Sequence, residues 1–97
     1  MSKILTIVAR IEAKKENLAL VKSEVLKLIE PTLKEEGCIQ YDLHQDNEDP
    51  TVFIFFENWV SRELWQVHMD NDHLVAFVKN TEGLLVDLCI NEMTQVR

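Results

Sequence analysis

Glycine, proline and cysteine are scarce in this sequence, at two each in 97 residues, and tyrosine occurs once. With 46% of the residues apolar, so little Gly and Pro excludes a disordered or low-complexity chain. Cys38 and Cys89 form no CxxC pair, which removes the usual zinc and dithiol motifs. They read as two reduced, packed thiols of a cytoplasmic protein. There is no Gly-rich phosphate loop and no GxSxG nucleophile turn. Cations are few and unclustered. With a net charge of -7, this excludes nucleic acid and anionic membrane surfaces as partners, because neutralising phosphates needs grouped Lys and Arg. No apolar run approaches the roughly 20 residues of a membrane span. The opening stretch MSKILTIVARIE alternates apolar and polar residues, unlike a signal peptide, and runs on into the domain. The length fits a single domain over residues 1–97.

What is present is organised around TVFIFFENW at residues 51–59. Aromatic and β-branched residues after an Asp-Pro turn read as a strand. Val52, Ile54 and Phe56 point one way; Phe53, Phe55, Glu57 and Trp59 point the other. Both faces are therefore apolar for most of its length, whereas a small antiparallel sheet normally keeps one wet face. Residues 4–12 form an earlier strand of the same two-sided kind. A helical stripe follows, with Leu18, Val21, Val25, Leu28 and Ile29 at three- and four-residue spacing. Its remaining surface, including Glu16, Lys22, Glu24 and Lys27, reads as solvated. Pro31 breaks or kinks this helix near Glu30, and Gly37 supplies a left-handed residue at its end. Residues 38–45 make a half-polar strand and DNEDP at 46–50 a turn, so the organising strand forms a hairpin with its predecessor. Ser61 caps a short helix carrying Leu64, Trp65, Val67, His68 and Met69. Asp70 or Asn71 caps the next, which presents Leu74, Phe77 and Val78. Gly83 ends it, and residues 84–93 form the last strand.

The order β-α-β-β-α-β is the split βαβ, ferredoxin-like arrangement of the α+β class: a four-stranded antiparallel sheet with helices on one face. The pattern does not fix which side chains meet the helices. Either way the opposite face carries apolar groups, and a large exposed apolar patch marks an interface. A homodimer joined through the sheet face about a two-fold axis is the simplest cover. A monomer with an apolar outer face is the rival.

Among the three histidines, His44 lies on the polar side of its strand and reads as a surface residue. His68 and His73 are five apart across a helix break, not the four of a helical metal pair. No carboxylate-histidine cluster completes a site in the sequence, so no metal is expected. By spacing, Tyr41, Trp59 and Trp65 read as core or interface aromatics. The functional alternative is an apolar, aromatic-walled pocket between sheet and helices, with Asn58, His68 and Tyr41 as its few polar groups.

The stretch LKEEGCIQYDLHQD, followed by PTVFIFFENWVSRELWQVHMDNDHLVAF, resembles the antibiotic biosynthesis monooxygenase family. The matching positions are Glu35 or Glu36, Gly37, Cys38, Tyr41, Glu57, Trp59, Ser61, Leu64, His68, His73, Leu74 and Phe77. The likeness covers essentially the whole chain and implies a dimeric α+β barrel. It also implies a cofactor-independent monooxygenase that uses O2 on a small aromatic quinol or phenol. Two alternatives come with the family: isomerase-type processing of a phosphorylated signalling molecule, or a non-catalytic binding or stress-response module. Haem-degrading relatives place their ligand histidine near the position of Val78, where this chain has none. On the same resemblance His68 is the candidate base or hydrogen-bond partner and Asn58 holds a substrate oxygen. Trp59 and Trp65 wall the ring, and Tyr41, His73 and Phe77 complete the substrate site. Glu57 orients a partner group or pairs with a cation at the barrel rim. A phenol of pKa about 10 must lose its proton to become a good one-electron donor to O2. A neutral imidazole helps only if the site also stabilises the phenolate.

Overall fold

The computed structural model describes residues 4–97. Residues 1–3, the start of the stretch compared above with a signal peptide, lie outside the described residues. In chain order come β1 (Leu5–Ala13), a 3-10 turn (Lys15–Asn17), α1 (Leu18–Leu26), α2 (Ile29–Leu33), β2 (Cys38–Gln45), β3 (Val52–Trp59), α3 (Arg62–Met69), α4 (Asp72–Asn80) and β4 (Leu85–Met93). The sheet order is β2-β3-β1-β4 with every neighbouring pair antiparallel, the ferredoxin-like arrangement expected. The two strands with apolar side chains on both faces, β1 and β3, are its centre.

Alternation decides which side chains meet the helices. Ile7, Ala9 and Ile11 of β1 and Phe53, Phe55 and Trp59 of β3 are buried together with Val21, Val25 and Leu28 on the helix side. A large side chain buried there contributes about 1.5–3 kcal/mol, so slipping either strand by one residue is prohibitive. The other face has a narrower apolar centre than the strand pattern alone indicates. Val8 pairs with Phe56, and Ile54 lies beside Arg10. Next to them Thr6 Oγ1 donates to Asn58 Oδ1 at 2.6 Å, and Asn58 Nδ2 donates to Gln40 Oε1 at 2.7 Å. This polar ladder crosses three strands. The helices also stop short of β4: Leu88 and Ile90 point to the helix side, opposite Ile11 and Ala9, yet stay exposed.

Three expectations are corrected. The first helix breaks earlier than Glu30. It ends at Leu26 and α2 begins at Ile29, so Pro31 sits in the first turn of a new helix, where its missing N–H breaks no bond. Glu24 is buried rather than solvated: Lys27 Nζ donates to it at 2.8 Å and Asn80 Nδ2 at 3.2 Å, tying α1 to α4. Of the two free thiols, Cys38 is half-buried but Cys89 is exposed on the helix-free side of edge strand β4. Among the described residues no helix is long and apolar enough to cross a membrane.

Candidate functional site

The chemistry gathers where α2, α3 and α4 meet the sheet. Ser61 Oγ accepts the Leu64 N–H at 3.2 Å and starts α3, whose period turns Leu64, Trp65 and His68 inward. His68 is 1% exposed. Its Nδ1 lies 2.6 Å from Glu35 Oε2. Glu35 comes from the turn between α2 and β2, which Gly37 closes at φ +87°. His73 Nε2 reaches the same Oε2 at 2.8 Å, and Thr32 Oγ1 at 3.2 Å. Asn71, which caps α4 through its own Oδ1, donates from Nδ2 to Glu35 Oε1 at 3.1 Å. One carboxylate therefore ties three helical segments together.

The charge state follows from these contacts. Burial alone would raise the Glu35 carboxyl, but hydrogen bonds from His68, Asn71 and His73 outweigh it and hold the group below the usual carboxylate range. Burial lowers His68, against the opposing pull of Glu35, so the imidazole is neutral at pH 7. Nδ1–H then donates to the carboxylate. The nitrogen left for a ligand is Nε2, which has no hydrogen-bond partner among the described residues.

Glu35, His68 and His73 place their ligand-type atoms within 4.8 Å of one another. That corrects the expectation that no carboxylate-histidine cluster forms: the carboxylate arrives from 33 residues before His68. Two histidines and one carboxylate are a known iron-binding set. Here the 2.6 and 2.8 Å separations are those of charge-assisted hydrogen bonds onto one oxygen. An ion would have to replace both N–H protons.

Beyond His68 a cavity of about 50 Å³ lies between sheet and helices. Tyr41, Phe55, Glu57, Trp65, His68 and Phe77 help line it, and among the described residues no Lys or Arg does. Val78, Leu88 and Ile90 form an exposed apolar lip. The Trp59 ring lies 4.6 Å from the His68 ring, and Tyr41 meets His68 edge-on at 5.6 Å. Burial, with Glu57 close by, pushes the Tyr41 phenol far above its ordinary value. Glu57 is 4% exposed, and Trp59 Nε1–H donates to its Oε1 at 2.9 Å. Burial pushes this carboxyl up to about 7, against the Trp59 bond and with help from Glu35. Of the two roles expected for Glu57, no cation pairs with it among the described residues, and its hydrogen-bond partner is Trp59.

The structure thus brings together His68, Trp59, Tyr41, Trp65 and Phe77. His73 shares the Glu35 Oε2 oxygen with His68, their ring centroids 5.9 Å apart, but is not among the described residues that line the cavity. Asn58 does not join them. It points to the helix-free face, bonded to Thr6 and Gln40, so its placement beside a substrate of His68 is corrected. Glu35 as the partner of His68 carries no spacing signal and is marked only by the family match, whereas strand alternation already puts Glu57 on the face of Phe55 and Trp59.

A ferredoxin-like α+β domain with a carboxylate-held histidine on an apolar cavity is the class that fold and site define. The profile of the antibiotic biosynthesis monooxygenase family matches residues 4–80, and the chain belongs to that family. It is similar to YcnE of Bacillus subtilis, named provisionally as a monooxygenase, with 30% identity over 77 residues, 79% of this chain and 81% of that one. It is 32% identical over 74 residues to sll1783 of Synechocystis, covering 76% of this chain and 48% of that protein, about half its length. Among solved structures, PA3566 from Pseudomonas aeruginosa superposes with a TM-score of 0.94 at 32% identity, over 100% of this chain and 98% of that one.

Proposed function

We propose that this protein is a cofactor-independent monooxygenase acting on a small aromatic quinol or phenol in the cavity between sheet and helices. The observation that carries the reading is the Glu35–His68 pair, its imidazole buried and its carboxylate half-buried, bordering an apolar, aromatic-walled cavity. A carboxylate on Nδ1 holds the tautomer whose Nε2 accepts a proton, the arrangement of general-base histidines. Deprotonating the phenol makes it a donor to O2. The balance is one phenol and one O2 to one quinone and one water. Trp59 and Tyr41 flank the base, and Trp65 and Phe77 enclose the ring.

The cavity volume of about 50 Å³ is below the roughly 300–1,000 Å³ of small-molecule pockets. Binding a ring therefore requires the cavity to enlarge. A second copy docked on the Val8–Ile54–Phe56 face completes the assembly in this reading, and the cytoplasm keeps Cys38 and Cys89 reduced. The isomerase alternative is less well supported, since a phosphorylated substrate would find no Lys or Arg among the described residues of the cavity wall.

The test is oxygen uptake by metal-free protein with a panel of quinols and dihydroxy-anthracenes. His68→Ala is expected to lower turnover about 10²- to 10⁴-fold, the usual weight of a general base. Unchanged turnover refutes the role of His68. Ligand-dependent thermal shifts without uptake favour the binding module.

A further inference from the structure

Glu57 lies on the sheet floor of the same cavity and has no part in the reaction as outlined. Among the described residues its side chain makes one hydrogen bond, accepted at Oε1 from Trp59. The titratable groups around it are Tyr41 and Cys38 on β2, Glu35 after α2 and His68 on α3; from β1 it faces Ile7. With His68 neutral, none of these is a cation. A carboxylate buried without one is costly, so in an apolar cavity the proton is retained well above the usual carboxylate range, up to about pH 7. Trp59 occupies Oε1, which leaves Oε2 to carry the proton.

We propose that Glu57 is the proton donor of the cavity, delivering its proton to an oxygen of a quinoid molecule bound against His68. The proposal rests on the oxygenase reading and deepens it. His68 Nε2 takes the phenolic proton, and the phenolate passes one electron to O2. Recombination forms a C–O bond and leaves a peroxide anion on the ring carbon. Glu57 protonates its terminal oxygen. The resulting carboxylate then removes the hydrogen on that carbon as a proton. The C–H electron pair becomes the second bond of a carbonyl, and the O–O bond breaks. Departing hydroxide takes the proton held by His68 and leaves as water. Both side chains return to their starting states, and O2 is the oxidant throughout.

Glu57→Gln keeps the shape and still accepts the Trp59 N–H, but holds no transferable proton. Quinone formation is expected to fall about 10²- to 10⁴-fold. Much of the oxygen still consumed should appear as superoxide and hydrogen peroxide, whereas the wild type forms one quinone per O2. Wild-type rate and coupling in Glu57→Gln overturn the proposal and leave the oxygenase reading standing. A wild type that takes up no oxygen with any quinol overturns that reading instead. Glu57 is then judged by binding of duroquinone, whose methylated ring accepts no thiol, read by tryptophan quenching. Wild-type affinity is expected to fall about tenfold, the weight of one good hydrogen bond, as pH rises through about 7. Glu57→Gln should bind alike at every pH. Binding independent of pH in the wild type, or no binding, overturns the proposal.

Discussion

Gly37→Ala should destabilise the fold by about 3 kcal/mol, the sum of two terms. Gly37 sits at φ +87°, where a side-chain-bearing residue is strained by about 1–2 kcal/mol. A methyl group on its Cα would also lie 2.5 Å from Leu64 Cδ1 and 2.9 Å from Leu64 Cβ. The Cδ1 methyl can rotate away. The Cβ cannot, because it moves only with the backbone of α3, and such overpacking costs about 1–3 kcal/mol. Gly83→Ala is the internal control. Its φ is +79°, but nothing among the described residues lies within 4 Å of the added methyl, so only the backbone term applies. Urea unfolding followed by tryptophan fluorescence measures both, at matched protein concentration because self-association adds to apparent stability. Gly37→Ala should lose about 1–3 kcal/mol more than Gly83→Ala. It should also lose activity, since Leu64 lies one turn before His68. Equal losses in the two variants would refute the account of how α3 seats against the Glu35 turn.

Other perturbations have definite signs. The folded Glu57 carboxyl is raised to about 7, so its stabilising contribution is present below the unfolded value near 4.3 and lost as pH rises through 7. Glu57→Gln should therefore be the more stable protein at pH 8, by up to about 3 kcal/mol, with the gap closing toward pH 5 in thermal melts. Glu35 is depressed, so its contribution is present above the unfolded value near 4.3 and disappears as pH falls through the folded one. Glu35→Gln should cost about 1.5–3 kcal/mol at pH 7 and progressively less in acid; a constant difference across pH would contradict the charged acceptor. Phe56→Glu puts a charge at the centre of the helix-free face and should shift sedimentation from dimer to monomer without lowering helix content. A wild type that sediments as a monomer at micromolar concentration removes the sheet-to-sheet dimer.

The strands that organise the sheet were readable from alternation, because a two-sided apolar strand has to be central and covered. Ser61 and Gly37 were readable from local chemistry, one from its cap and the other from its freedom at positive φ. Alternation also separates Asn58 from Trp59, since adjacent strand residues point to opposite faces of the sheet. Glu24 falls three residues after Val21 on the buried stripe, and its charge outweighed its position. The Glu35 cluster was beyond such reasoning. Its partners lie 33 to 38 residues away, on helices whose approach depends on packing rather than on any repeat.

Nitrogen-15 spectra of the histidine side chains at pH 7 address the Glu35–His68 pair most directly. A protonated Nδ1 and a bare Nε2 on His68, with the Nδ1 proton shifted far downfield and that shift lost in Glu35→Gln, is the predicted result. An imidazolium, or a proton on Nε2, would contradict it.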